Sequence, residues 1–264
     1  MSKTYYKNLE EWKKAGKPIN SIVCCDCIEG LKEIPDNYVD LVVTSPPYNI
    51  GGNNMISYER NKRKSKSKYL NYDDNMDKEE YFNFLKKVIY QLLRIVNKYS
   101  FFNIAPLSNN KDAVFKLMGL YYNKIKEILI WNKKYGVPAI EKGVLNFAYE
   151  FIIVFSEKEG DKRKFNFCNF ERGKINNVFE FKKRYKEEQI KEHNAVFPLE
   201  LPTKLMKMFS NPNDLVLDPF LGSGTTAVAC KRLNRNFLGF EINPDYCKIA
   251  VKRLEQENIQ TWIK

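Results

Sequence analysis

Val216-Leu217-Asp218-Pro219-Phe220-Leu221-Gly222-Ser223-Gly224-Thr225-Thr226 sets the fold class of this chain. Val216 and Leu217 continue Asp214-Leu215 as a short apolar strand, and a glycine-rich turn follows. Gly222 and Gly224 let the backbone take positive φ and approach a ligand closely. Thr225 to Leu233 then reads as a helix, whose N-terminal N–H groups and the Thr225 and Thr226 hydroxyls favour a carboxylate. A nucleotide phosphate is the rival occupant. A P-loop needs Gly-Lys-Ser/Thr at this point, and here Thr225 follows Gly224, so that motif is excluded. Next comes a strand, Asn236 to Glu241, which ends in a carboxylate about 20 residues beyond the turn, where Rossmann-like folds hold ribose hydroxyls.

A second strand-to-loop passage lies near the N-terminus. Val39-Asp40-Leu41-Val42-Val43 reads as a buried strand and runs into Thr44-Ser45-Pro46-Pro47-Tyr48-Asn49. Neither proline offers an N–H, and each pushes the residue before it to extended geometry. The chain thus leaves the sheet as a stiff loop with its carbonyls exposed. The Ser45 hydroxyl and the Pro46 carbonyl can accept hydrogen bonds from an amino group, and Tyr48 can stack on a planar ring. Alone, Pro-Pro-Tyr is better read as a proline-rich turn with a packed tyrosine.

Together these two stretches resemble the DNA amino-methyltransferases of the β group, in which the (Ser/Asn/Asp)-Pro-Pro-(Tyr/Phe) loop precedes the Phe-x-Gly-x-Gly loop. The resemblance runs from about Val23 to Leu254. It implies an α/β fold with a Rossmann-like, doubly wound, mostly parallel sheet and a small inserted recognition region. The implied cofactor is S-adenosyl-L-methionine, with S-adenosyl-L-homocysteine as product. Implied cofactor contacts are Asp26, Ala195, Phe197, Asp218, Phe220, Gly222, Ser223, Gly224, Thr225, Thr226 and Glu241. Asp26 also suits a plain helix N-cap. Ser45, Pro46, Pro47 and Tyr48 become the catalytic tetrad. A first-position serine is similar to the cytosine-N4 enzymes, whereas adenine-N6 enzymes more often carry Asp or Asn there. RNA and protein-amide methyltransferases, and a binding-only module, are the rival readings.

The remaining sequence is consistent with a DNA partner. The 264 residues carry a net charge of +12 and 29% charged residues, enough length for one catalytic domain with a sizeable core. A lysine-rich genome would produce the same excess, so local clusters carry more weight. Arg60, Lys62, Arg63 and Lys64 fall in a stretch with six basic residues in nine, inside a loop at about 50–76. Lys182, Lys183 and Arg184 lie in a charged, phenylalanine-rich stretch, 156–192, where the resembled group keeps its target-recognition region. That region is short, so a short site in double-stranded DNA is expected. A separate restriction endonuclease and a homodimer are the further partners considered. No metal is expected: Cys24 and Cys27 lack a second cysteine pair at finger spacing, and His193 is the single histidine. No apolar run approaches a membrane span, and Met1 to Asn20 lacks a secretory core, so a cytoplasmic location is expected. Periodicity predicts helices over Glu79 to Lys98 and Asn110 to Gly119, with strands at 100–105, 127–131 and 149–155.

Overall fold

The computed structural model describes residues 4–50, 74–137, 142–158, 163–181 and 198–260. Its centre is a nine-stranded sheet. In chain order the strands are β1 (Tyr5–Tyr6), β2 (Ser21–Cys24), β3 (Val39–Thr44), β4 (Val96–Ile104), β5 (Ile125–Val137), β6 (Phe147–Phe155), β7 (Val178–Glu180), β8 (Leu215–Asp218) and β9 (Asn236–Glu241). Across the sheet they run β1-β2-β9-β8-β3-β4-β6-β5-β7. Only β6 is reversed, antiparallel to both β4 and β5. The fold is the mostly parallel α/β sheet expected of S-adenosylmethionine-dependent methyltransferases.

Both faces of the sheet are covered, and the strands show why. Along β3, Val39 and Val42 enter one apolar layer while Leu41 and Val43 enter the other. In β6, Ile153 and Phe155 face the first layer, and Ile152 and Val154 the second. Strands apolar on both sides must be sandwiched between helices. The first layer is closed by α1 (Leu9–Lys14), α2 (Cys27–Lys32), α3 (Lys78–Ile95) and α4 (Lys111–Leu120). The second is closed by α5 (Glu200–Phe209), α6 (Thr225–Arg232) and α7 (Pro244–Gln260). Trp12, whose seat the sequence leaves open, packs edge-on against Phe240 at 5.9 Å and donates its indole N–H to the Pro18 carbonyl.

Several boundaries differ from the periodicity. Helix α3 stops at Ile95 and not at Lys98, and β4 begins at the next residue. Val96 is β-branched and takes extended backbone (ψ 133°), converting the last part of the apolar stripe directly into strand. Strand β5 continues to Val137, through residues expected to form a connection. Gly136 makes that continuation possible, since a Cβ there would lie 2.9 Å from the Asn146 Cβ. The phenylalanines of the charged stretch pack against the second apolar layer. Phe165 and Phe170 pack on Phe209 at 4.8 and 5.7 Å, and Phe179 is buried beneath the Lys204 ammonium.

Candidate active site

The strand order reverses direction between β8 and β3, which lie side by side at the middle of the sheet. From β8 the chain proceeds to β9 on one side; from β3 it proceeds to β4 on the other. In open α/β sheets the crevice outside the carboxyl ends at such a point receives the ligand. Both sequence motifs leave the sheet there.

Asp218 joins them. Its Oδ1 accepts from the Thr44 hydroxyl at 2.6 Å, and its Oδ2 accepts from the Thr226 hydroxyl at 2.6 Å. The Phe220 N–H adds a third bond. Burial outweighs these donors and pushes the carboxyl up to about 6. The Thr226 hydroxyl hydrogen is therefore committed to Asp218, beneath the loop.

On the β8 side, Gly222 and Gly224 have φ of +53° and +86°. Gly224 caps α6 without any side-chain bond, and the first helical hydrogen bond runs from Val228 N–H to the Gly224 carbonyl. The helix thus opens with main-chain N–H groups that no cap takes. Arg253 on α7 braces the loop from behind. It is buried and donates to the Ser223 carbonyl and hydroxyl and to the Thr225 hydroxyl, at 2.8 to 3.1 Å. The Phe220 ring meets Phe84 edge-on at 5.8 Å. Glu241 ends β9 beside the turn, accepting from Gly222 N–H at 2.8 Å and Asn243 N–H at 2.9 Å. Desolvation raises its carboxyl to about 7. Asp26 stands one strand further out, since β2 pairs with β9 and Cys24 faces Glu241. Its Oδ1 caps α2 through Ile28 and Glu29 N–H, as an N-cap should.

On the β3 side the tetrad is held from several directions. The Pro47 carbonyl accepts from the Tyr81 hydroxyl at 2.7 Å, and the Tyr48 carbonyl accepts from Asn110 Nδ2 at 2.8 Å. Among the described residues no donor takes the Pro46 carbonyl. Asn49 takes φ of +54° and exchanges two hydrogen bonds with the Met76 backbone, while Asp74 accepts from Asn49 and Ile50 N–H. Ile50 and Asp74 are therefore tied together beside the tetrad.

Tyr48 is buried except for 9% of its surface, and its hydroxyl points inward. It donates to Glu150 Oε2 at 2.7 Å and lies 3.0 Å from the Ser45 Oγ. Asn103 Nδ2 donates to Glu150 Oε2 at 2.6 Å and to the Tyr48 oxygen at 2.9 Å. Lys133 pairs with Glu150 Oε1 at 2.6 Å. These groups come from four adjacent strands or the loop that follows: β3, β4, β6 and β5 in order. Asn103 and Glu150 escape sequence reading because each is a lone polar residue in an apolar run, and Lys133 and Arg253 because each is an ordinary charge beside other charged residues. The one available signal is a charge inside a buried strand, Glu150 in Phe147–Phe155.

Ala195, Phe197 and His193 lie outside the described residues, as do Arg60, Lys62, Arg63, Lys64, Lys182, Lys183 and Arg184. Among the described residues no three His, Cys, Asp or Glu side chains are grouped to hold a metal. Nor is any described helix long and apolar enough to cross a membrane.

This geometry can be set beside known proteins. Residues 39–252 match the family described as DNA methylase, the N6/N4 methyltransferases. The type II methyltransferase M.HinfI of Haemophilus influenzae is 30% identical over 253 residues, which cover 90% of this chain and 69% of that protein. DNA adenine methyltransferase YhdJ of Escherichia coli (strain K12) is 28% identical over 266 residues, covering 91% and 84%. The solved structure of PvuII DNA methyltransferase (cytosine-N4-specific) superposes with a TM-score of 0.69 at 21% identity, over 88% of this chain and 85% of that one. The sheet order, the two strand-end loops meeting at Asp218 and the match over most of the sequence agree: the chain belongs to the N6/N4 DNA methylases, which take their methyl group from S-adenosylmethionine.

Proposed function

We propose that this DNA methyltransferase modifies the N4 amino group of cytosine, at a short site in double-stranded DNA. The observation that carries the reading is Ser45. A neutral hydroxyl stands at the carboxyl end of β3, where an adenine-N6 enzyme more often has Asp or Asn. Modification requires the base to leave the duplex, at a cost of a few kcal/mol. Ser45 Oγ and the Pro46 carbonyl accept hydrogen bonds from the amino group, which localises the nitrogen lone pair, and the Tyr48 ring flanks the base. This is catalysis by positioning and electrostatics, with no covalent enzyme intermediate.

The β8 side fits the donor. An uncapped helix N-terminus suits a carboxylate, and a buried acid at the end of β9 suits ribose hydroxyls. We assign the main-chain N–H groups of Ser223, Thr225 and Thr226, with the Thr225 hydroxyl, to the methionine end, since those of Gly222 and Gly224 already donate to Glu241 and to the Leu221 carbonyl. Glu241 takes the ribose, and Asp26 and Phe220 the adenine end. Asp218 and Thr226 act by holding the two loops together. When bound, S-adenosylmethionine supplies the methyl group as an electrophilic sulfonium carbon.

Adenine-N6 is the second reading. The 28% identity to a DNA adenine methyltransferase favours it, and the same two acceptors would serve an adenine amino group. The experiment is to incubate the protein with S-adenosylmethionine and mixed-sequence DNA, digest the DNA, and identify modified nucleosides by mass spectrometry. N4-methylcytosine is the expected product. N6-methyladenine would overturn the base assignment while keeping the chemistry. A restriction endonuclease partner and a homodimer belong to the same proposal; co-expression and sedimentation test them.

A further inference from the structure

Ser45 can accept a hydrogen bond from a substrate amino group only if its own hydrogen points elsewhere. A hydroxyl rotates freely, so something must fix its direction. Counting hydrogens along the buried chain shows what does. Glu150 Oε2 is an acceptor, so at 2.7 Å the single hydrogen of the Tyr48 hydroxyl is committed to it; the alternative acceptor, the Asn103 carbonyl, is 3.4 Å away. The Tyr48 oxygen then has only lone pairs left. Asn103 Nδ2 donates to one of them at 2.9 Å. The 3.0 Å contact with Ser45 must therefore be Ser45 donating to Tyr48, which leaves Ser45 Oγ with lone pairs only, one of them reached by Asn103 Nδ2 at a long 3.5 Å.

A second observation points to the same carboxylate. Asn103 Oδ1 is buried with no hydrogen-bond partner, a costly state that native proteins rarely keep without reason. Turning the amide over would free Nδ2 to seek other partners. It would also bring Oδ1 within 2.6 Å of Glu150 Oε2, oxygen against carboxylate oxygen. The orphaned atom is what it costs to keep both Nδ2 hydrogens on Glu150 and Tyr48. Lys133 holds the other carboxylate oxygen at 2.6 Å, with its ammonium over the Trp131 and Phe147 rings at 5.4 and 5.7 Å.

We propose that Glu150, clamped by Lys133, is a positioning residue for methyl transfer: it sets the direction of the Tyr48–Ser45 hydrogen-bond chain so that Ser45 meets the substrate amino group as an acceptor. The inference rests on the reading of Ser45 as that acceptor. A glutamine at 150 would break the polarity without changing shape. Lys133 attracts the amide oxygen, so the amide NH2 turns to Tyr48 and donates to it. Asn103 no longer faces a carboxylate and is free to turn over, so the Tyr48 hydrogen loses its fixed direction and becomes shared with Ser45, whose own hydrogen then turns towards the amino hydrogens it should receive.

The test is steady-state methylation by wild type, Ser45→Ala, Tyr48→Phe, Glu150→Gln, Tyr48→Phe/Glu150→Gln and Lys133→Met/Glu150→Met, with S-adenosylmethionine affinity measured by calorimetry. In Glu150→Gln, kcat should fall on the order of 100-fold, the scale of losing one preorganised hydrogen bond at a reacting centre. KM for DNA and cofactor affinity should hold. In the Tyr48→Phe background the same change should cost less than about twofold, because its route is gone. Lys133→Met/Glu150→Met leaves no buried charge unpaired and should lose kcat to the same extent. Two results overturn the proposal: Glu150→Gln within about threefold of wild-type kcat, or losses that multiply in the double variant. If Glu150→Gln fails to bind cofactor, the Met pair decides, and wild-type kcat there refutes the role. Ser45→Ala separates the two failures: full activity in it sinks the acceptor reading itself, whereas a large loss beside an active Glu150→Gln sinks only this inference.

Discussion

Asp218 joins both halves of the site through one carboxylate, so its removal should be felt in the fold before it is felt in the chemistry. Asp218→Ala leaves the buried Thr44 and Thr226 hydroxyls and the Phe220 N–H without their acceptor. Each such group costs about 1–3 kcal/mol, reduced where a second acceptor exists, as the Val43 carbonyl does for Thr226 at 3.4 Å. A loss of about 2–4 kcal/mol in urea unfolding is expected. The ionisation is readable in the same experiment. Burial raises the folded carboxyl to about 6, above its ordinary value of 3.8, so the native state binds the extra proton between those values. Its contribution to stability is full below pH 4 and is lost as pH rises through 6; Asp218→Asn should flatten that part of the profile. Glu241 gives a binding counterpart. Its carboxyl is raised to about 7, and only the ionised form can accept from two ribose hydroxyls. Cofactor affinity should therefore weaken below pH 7 by up to about tenfold per pH unit, and Glu241→Gln should bind weakly with a flat profile. Calorimetry between pH 5.5 and 8.5 would show it, and a wild-type affinity independent of pH would refute it.

Elements that carry one period cleanly are the ones the sequence exposes. Strands β3, β8 and β9 and helix α6 sit within a residue or two of where apolar runs, glycines and caps place them, because each is short and punctuated at both ends. Strand β7 and the long β5 are not legible in that way. Their partners are distant in sequence, and pairing with a neighbour extended β5 through residues with no strand pattern of their own. The tetrad and the glycine loop are likewise visible as motifs, while Glu150 and Arg253 become functional only through neighbours that the topology brings to them. Helix α6 shows how closely a motif glycine is tied to tertiary packing. A Cβ on Gly224 would stand 2.7 Å from the Ala250 Cβ and 3.0 Å from its Cα on α7, at a backbone φ of +86°. Neither the backbone nor Ala250 can yield cheaply. Gly224→Ala should cost about 2–4 kcal/mol, combining left-handed strain with overpacking, and should abolish cofactor binding by shifting the loop. Gly119→Ala, with open space around it, is the control that thermal melts should find harmless.

At the scale of the molecule, the two halves of the sheet divide the labour. Strands β2, β9 and β8 end at the proposed cofactor half, while β3, β4 and β5 end, and the reversed β6 begins, at the proposed base half, with Asp218 at the seam. A net charge of +12 must then be read against where DNA would lie. Part of the basic content is already paired within the protein, as Lys133 is with Glu150, Lys98 with Asp214 and Arg163 with Glu127. The cluster Arg60, Lys62, Arg63 and Lys64 lies in sequence between Ile50 and Asp74, which are hydrogen-bonded to each other beside the tetrad. That attachment makes it our first choice for phosphate contact. Each phosphate neutralised contributes about −0.9 to the slope of log affinity against log salt on duplex DNA. Replacing all four by glutamine should make the slope shallower by up to about 3.6 and weaken binding at low salt, while cofactor affinity stays unchanged. Fluorescence anisotropy of a labelled duplex from 50 to 300 mM salt would measure it. An unaltered slope would move the DNA contact away from this stretch and onto the charged residues at 182–184.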